Sequence, residues 1–287
     1  MKSNALKNGD LKWDVLTMRR PGLTRDLPPG KEQLAWVANS VTLIHGEHDA
    51  VLVDTFLTIE QSRKLLDWVV AGGKTLTAIY VTHGHGDHFF GLAPLLERFP
   101  NAKAVATPAV VKAMHEQLSP ASIENWKRLF PKQIPDRLLA AEPLERGQLE
   151  LEGHSLIAID TGRTDTAHST SLHVPSIGLL VAGDAVYNGI HPNLGETDTQ
   201  SRNEWIAVLD RLEALKPNTV VAGHKVPEND DDPRNIGETR EYLRAFNRVN
   251  ASTADARQLY DAMLKLYPDR ANPGSLWGAA NAAKRLA

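Results

Sequence analysis

The sequence contains no cysteine. Disulfides, thiolate zinc sites, iron–sulfur clusters and a cysteine nucleophile are thereby excluded, and any bound metal must be held by nitrogen and oxygen. No apolar run approaches the roughly 18 residues of a membrane span. The polar opening Met1–Asp10 lacks the apolar core of a signal peptide. The expectation is a soluble, cytoplasmic protein with no membrane partner. Charge of either sign is not in excess: 32 basic residues stand against 35 acidic ones, a net of −3. A broad nucleic-acid surface usually needs a basic surplus, so a small-molecule substrate is expected and a nucleic acid is not. The oligomeric state is open, with a homodimer among the options.

Histidine is where the sequence is specific. His83, His85, Asp87 and His88 fall within six residues of the stretch Thr82-His83-Gly84-His85-Gly86-Asp87-His88. The stretch follows Leu76–Val81, an apolar, β-branched run that reads as a buried strand. It precedes Gly91–Phe99, which reads as a helix with an apolar stripe. Four side chains able to bind metal therefore sit on a loop at the carboxyl end of a strand, where open α/β folds place their chemistry. Gly84 and Gly86 are expected to let the backbone turn sharply, so that the imidazoles converge. Imidazole with carboxylate suits zinc, and also manganese or iron(II).

The flanking chain alternates strands and helices. Leu11–Met18 reads as a strand, and 19–30 as a long irregular loop that wraps the scaffold or lines a site. Residues 34–44 and 50–55 form a hairpin about Gly46–Asp49, whose His45 and His48 read as solvated. A helix starts at the capping box of Thr58 and Gln61 and stops at Gly72-Gly73. After a strand at 103–107, residues 108–135 turn helical, with Ile123, Trp126 and Phe130 on one face. This insertion either caps a site or packs on the core, and His115 within it reads as surface. Phe89 and Phe90 read as packing residues. Strands follow at 149–151, 155–160, 171–174, 178–182 and 218–222. A capping box at Ser201 opens a helix to Leu215, and three helices from 237 to 286 end the chain.

The loop 82–88 resembles the signature of the metallo-β-lactamase superfamily. That resemblance implies an α/β fold, the αββα four-layer sandwich, here with the helical insertion and C-terminal helices. It implies a single domain over 1–287, with a core of about 34–226 and a helical extension over 227–287. His83 and His85 are then expected to hold one metal. Asp87, His88 and His224, the last in a Gly-His pair after a strand, are expected to hold a second. Asp184, in Gly183-Asp184 at another strand end, is expected to bridge the two, and Asp54 to support the loop. The superfamily carries a Gly-His-Thr-x-Gly-Ser element. Thr166-Ala167-His168-Ser169-Thr170-Ser171 is similar to it, with Ala167 in a glycine's place. His168 is thus the expected third ligand of the first metal. Its rival His173 lies inside a strand.

Two divalent ions so placed, zinc first and manganese or iron(II) as alternatives, share a hydroxide in such proteins and hydrolyse a bond without a covalent enzyme intermediate. His85 stands where the oxygen-reducing branch carries glutamate, which argues against a redox role. Asp184-Ala185-Val186-Tyr187 is similar to the Asp-Ala-x-Tyr of the N-acyl homoserine lactonases. Asp87 and Tyr187 are the expected catalytic residues, Tyr187 as a donor to the developing oxyanion. The expected function is a dinuclear, metal-dependent hydrolase opening a lactone or similar ester. The alternatives are a thioester hydrolase of glyoxalase II type, a phosphodiesterase, and a metal-binding scaffold or sensor.

Overall fold

The computed structural model describes residues 10–23 and 25–285; the polar opening read at 1–9, and Leu286, lie outside them. The chain runs β1 (Lys12–Pro21), β2 (Trp36–His45), β3 (Asp49–Val53), α1 (Ile59–Ala71), β4 (Thr75–Tyr80), α2 (Gly86–Phe89), α3 (Leu92–Arg98) and β5 (Lys103–Ala106). It continues through α4 (Pro108–Gln117), α5 (Pro120–Leu129), β6 (Glu142–Pro143), β7 (Gln148–Leu151), β8 (His154–Gly162), β9 (Ser169–Val174) and β10 (Leu179–Asn188). Then come α6 (Thr199–Ala214), β11 (Thr219–Lys225), α7 (Arg234–Ser252), α8 (Ala256–Leu266) and α9 (Pro273–Arg285).

The strands hydrogen-bond in the order β6-β5-β4-β3-β2-β11-β10-β9-β8-β7, with β1 paired to β2. The two halves of this path meet at a thin seam, the single pair His224↔Asn39 between β11 and β2. Alternation along the strands builds the layers, because successive side chains point to opposite faces. In β3, Ala50 and Leu52 pack with α1, α3 and α4, whereas Val51 and Val53 turn inward. In β10, Leu180 and Ala182 pack with α6 to α9, whereas Leu179 and Val181 turn inward. The inward sets from both halves share one core with Ile44, Tyr80, Leu172 and Val221. Helix, sheet, sheet and helix are thus stacked, as the αββα resemblance implied.

Three elements differ from the sequence reading in ways that shape the site. Strand β1 runs through Arg19, Arg20 and Pro21, pairing from Lys12↔His45 to Pro21↔Trp36. Proline is tolerated there because β1 lies off the main path, at a sheet edge. Strand β10 continues past Gly183-Asp184 to Asn188 and stays buried throughout. Its register with β11 shifts twice, between Val181 and Gly183 and between Gly183 and Tyr187. Such bulges re-aim side chains, here Asp184. Helix α6 starts at Thr199, with Asp198 as its cap and Ser201 answering from the third position. Ser201 therefore completes the cap rather than opening the helix.

Candidate metal centre

Asp54, at the end of β3, organises the loop after β4. It is buried and adopts φ +63°, a conformation that L-residues avoid unless their surroundings impose it. Its Oδ1 accepts from the Thr82 amide at 2.8 Å, and its Oδ2 accepts from Thr82 Oγ1 at 2.8 Å and faces His88 Nδ1 at 2.9 Å. The loop glycines act through space rather than torsion. Neither Gly84 nor Gly86 has a positive φ. A Cβ on Gly84 would meet Ala113 of α4 at 2.8 Å, and one on Gly86 would meet the Phe90 ring at 2.7 Å. The helical insertion is therefore packed directly on the loop. Phe89 and Phe90 are fully buried, with Phe90 edge-on to Trp126 at 5.8 Å, so they are packing residues.

The outer partners of four histidines fix which ring nitrogen looks inward. His224 Nδ1 donates to the Ala38 carbonyl at 3.0 Å. His88 Nδ1 faces Asp54, and His85 Nε2 faces Glu196 Oε1 at 3.1 Å. The Thr82 hydroxyl gives its proton to Asp54, so it accepts from His83 Nδ1 at 3.1 Å. The nitrogens left over are His83 Nε2, His85 Nδ1, His88 Nε2 and His224 Nε2. Such outer carboxylates and carbonyls are how proteins orient metal-binding imidazoles.

Those four nitrogens converge with three carboxylates. His83, His85 and Asp165 form one group, His83, His88 and Asp184 a second, and Asp87, His88 and His224 a third, each with its ligand atoms within 4.8 Å. His85 Nδ1 lies 3.0 Å from Asp165 Oδ2. Asp184 Oδ1 lies 3.3 Å from His88 Nε2, and its Oδ2 lies 3.1 Å from His224 Nε2. His88 Nε2, Asp165 Oδ2 and Asp184 Oδ1 are buried yet make no aligned hydrogen bond. Orphaned buried atoms are costly, and these three, each facing the other ligand atoms of its group, fit a cation. The field points the same way. Burial alone would push the His88 imidazole down, but Asp184 and Asp54 raise it to about 10. Burial would push Asp87 up, but His88, Arg20 and His224 hold it well below the usual carboxylate range. Three carboxylates among four inward-turned imidazoles are a donor set that suits divalent ions held by nitrogen and oxygen.

Six of the seven expected ligands are brought together. His168 is not among them. It is exposed, belongs to none of the three groups, and has φ +61°. The fully buried Asp165 stands at His83 and His85 instead. The register of the resemblance explains this. Aligned on its threonine and serine, Gly-His-Thr-x-Gly-Ser falls on Thr164-Asp165-Thr166-Ala167-His168-Ser169. Asp165 then takes the histidine's place, and His168 takes the second glycine's, where a left-handed backbone is wanted. The matching Thr166 and Ser169 were the signal in the sequence. His173 lies within β9, paired with Leu180 and Ile157, and joins no group. His48 and His115 are exposed, and His45 pairs with Asp14 at 3.0 Å.

Three contacts had no local signal in the sequence. Arg20 Nη2 and Asn39 Nδ2 both donate to Asp87 Oδ2, at 3.1 and 2.9 Å. Glu196, before α6, holds His85 and accepts from Thr166 Oγ1 at 2.7 Å. Tyr187, expected as an oxyanion donor, faces a ligand carboxylate here. Its hydroxyl donates to Asp184 Oδ2 at 2.7 Å, and its ring stacks on His224 at 5.4 Å, all buried. A phenol already committed to a carboxylate positions that carboxylate rather than waiting for substrate. Tyr187→Phe is therefore expected to keep the fold and to weaken metal binding, turnover or both by about tenfold, the low end for an outer partner. Metal titration beside steady-state kinetics checks this; unchanged values in both would make Tyr187 a packing residue.

The family model described as "Metallo-beta-lactamase superfamily" matches residues 34–224. The chain belongs to the metallo-β-lactamase superfamily. A hydroxyacylglutathione hydrolase of Parasynechococcus marenigrum (strain WH8102) is 24% identical over 246 residues, covering 84% of this chain and 80% of the relative. Among solved structures, a metallo-β-lactamase family protein of Thermus thermophilus superposes with a TM-score of 0.64 at 22% identity, over 93% of this chain and 91% of that one. A β-lactamase domain protein of Burkholderia ambifaria superposes with a TM-score of 0.60 at 20% identity, over 93% and 85%. At such identities these structures show the fold alone. Metallo-β-lactamase superfamily members are metal-dependent hydrolases, and this chain has His and Asp clusters able to hold metal. Among the described residues, no helix is long and apolar enough to cross a membrane.

Proposed function

We propose that this chain hydrolyses an acyl bond, in a lactone or similar ester, at two divalent metal ions, zinc in the first instance. The observation that carries the reading is the convergence of seven side chains, four of them imidazoles whose outer partners turn one ring nitrogen inward. His83, His85 and Asp165 would hold one ion, and Asp87, His88 and His224 the other, with Asp184 shared between them. When bound, the ions supply Lewis-acid polarisation and a nucleophile at neutral pH. The chain's own residues do the rest. Asp54 and Glu196 hold His88 and His85 in place, Arg20 and Asn39 orient Asp87, and Tyr187 orients Asp184. His83, His88, Asp165 and Asp184 are sealed at 0–2% side-chain exposure, whereas His85, Asp87 and His224 keep 9–12%. A substrate therefore approaches along the edge of His85, Asp87 and His224.

The lactone reading is supported by Asp184-Ala185-Val186-Tyr187. A second reading, thioester hydrolysis, is supported by the likeness to a hydroxyacylglutathione hydrolase over most of the chain. Kinetics of the metal-loaded protein on a panel of lactones, oxyesters, glutathione thioesters and phosphodiesters tests both. The best kcat/KM is expected on an acyl substrate. A phosphodiester turned over as well as any acyl substrate would sink the proposal. No turnover on any of them, at full metal occupancy, would leave the scaffold or sensor reading in its place.

A further inference from the structure

Arg270 lies between α8 and α9, outside the three ligand groups, with 9% of its surface exposed. Its guanidinium sits over the rings of Tyr242 at 5.0 Å and Tyr267 at 5.3 Å, and Nη1 donates to the Ile190 carbonyl at 3.0 Å. It makes no other hydrogen bond and no salt bridge among the described residues, and burial lowers its pKa. A buried charge without a counter-ion is expensive.

This fold satisfies a buried guanidinium differently where the role is structural. Arg202, 1% exposed and also without a carboxylate, donates to Asn247 Oδ1, to the Thr197 carbonyl and hydroxyl, and to Thr199 Oγ1. Arg270 keeps its Nε–Nη2 edge unbonded, and neither atom is among those sealed from the surface without a partner. That edge is the one that takes a carboxylate through two parallel hydrogen bonds. Arg270 lines a cavity of about 600 Å³, together with Asn188, Asn229, Gly237 and Tyr267. The cavity wall is mostly apolar. Two acidic residues also line it, but both are engaged by other cations: Glu238 with Arg234 at 3.6 Å, and Glu241 with Arg244 at 2.7 Å. The charge left unanswered is that of Arg270.

We propose that this cavity is a second ligand site, separate from the metal centre, which binds a small organic carboxylate with an apolar body. Arg270 holds the carboxylate side-on, and Tyr267 packs against the body. The site does not depend on which substrate the metal centre takes. It is joined to that centre through the chain: Ile190, which Arg270 grips, opens the segment that ends at Glu196 against His85.

Calorimetric titration of the metal-loaded protein with benzoate, benzamide and inorganic phosphate tests the proposal. Benzoate should bind, and the neutral benzamide should bind at least tenfold more weakly. Arg270→Met should weaken benzoate at least tenfold. That variant also loses the bond to Ile190, so Gly237→Phe serves as a second probe. Gly237 lines the cavity and a Cβ there meets nothing within 4 Å, so a side chain at this position can enter the cavity. Gly237→Phe should keep its Tm, because glycine is poor inside a helix, and should lose benzoate binding. Equal benzoate affinity in the wild type and both variants would put the ligand at the metal centre and overturn the site. Undetectable benzoate binding, or tighter binding of phosphate than of benzoate, would overturn the carboxylate assignment.

Discussion

Asp165→Ala is expected to lose one metal ion per chain and at least about a hundredfold in turnover, more than the 10–100-fold typical of outer partners. The carboxylate is fully buried, its Oδ2 is 3.0 Å from His85 Nδ1, and its other oxygen accepts from Thr164 Oγ1 at 3.1 Å. Removing it leaves His83 and His85 as the only ligands of their group. His168→Gly is expected to do the opposite of what a ligand substitution does. His168 is exposed at φ +61°, where a side chain costs free energy that glycine does not. Metal content and kcat should be unchanged, and stability should move by no more than about 1 kcal/mol, since relief of strain is offset by backbone entropy. Elemental analysis, kinetics and thermal unfolding of both variants decide. If His168→Gly stripped a metal while Asp165→Ala kept both, the assignment would have to be reversed.

Removing metal should have the other large effect. The protein purified without chelator is expected to carry about two divalent ions per chain, because seven ligand side chains fall into overlapping groups that share His83 and His88. Chelation should abolish turnover and lower Tm. Ions bound at a thousand times Kd stabilise by about 4 kcal/mol, which corresponds to on the order of 10 °C for a chain of this size. The physical reason is local. Asp87, Asp165 and Asp184 are buried close together, and Asp184 raises the pKa of Asp165 along with burial. Cations relieve that repulsion. Zinc added back should restore both Tm and turnover. An active sample with one ion or none, or an unchanged Tm after complete removal, would break the dinuclear reading.

What the sequence by itself determined is local or periodic. His83, His85, Asp87 and His88 are legible because one turn after one strand presents them all, so their convergence needs no distant contact. The unbroken apolar runs of β3, β4, β10 and β11 made the buried strands readable, since a strand covered on both faces must be apolar at successive positions. Asp184 and His224 were legible as strand-end residues, although the strands run on past them. The third position beside His83 and His85 is marked in the sequence only by Thr166 and Ser169, which match the threonine and serine of the element. Alignment of that element on its histidine instead points to His168, which occupies a glycine's place.

Only the tertiary structure decided what surrounds the ligands. Arg20 reaches Asp87 across 67 positions, Asn39 across 48, and Glu196 reaches His85 across 111. None of these pairs leaves a spacing pattern: Arg20 and Asn39 are placed by strand pairing, β1 along β2 and β2 against β11 at the seam, and Glu196 by the loop between β10 and α6. The same holds for Tyr187. A four-residue pattern placed it near Asp184, but only the shifted register of β10 brings its hydroxyl onto Asp184 Oδ2. Periodicity reports which side of an element is apolar. Where two halves of a chain meet, and which charges then share a site, depends on packing that no local stretch encodes.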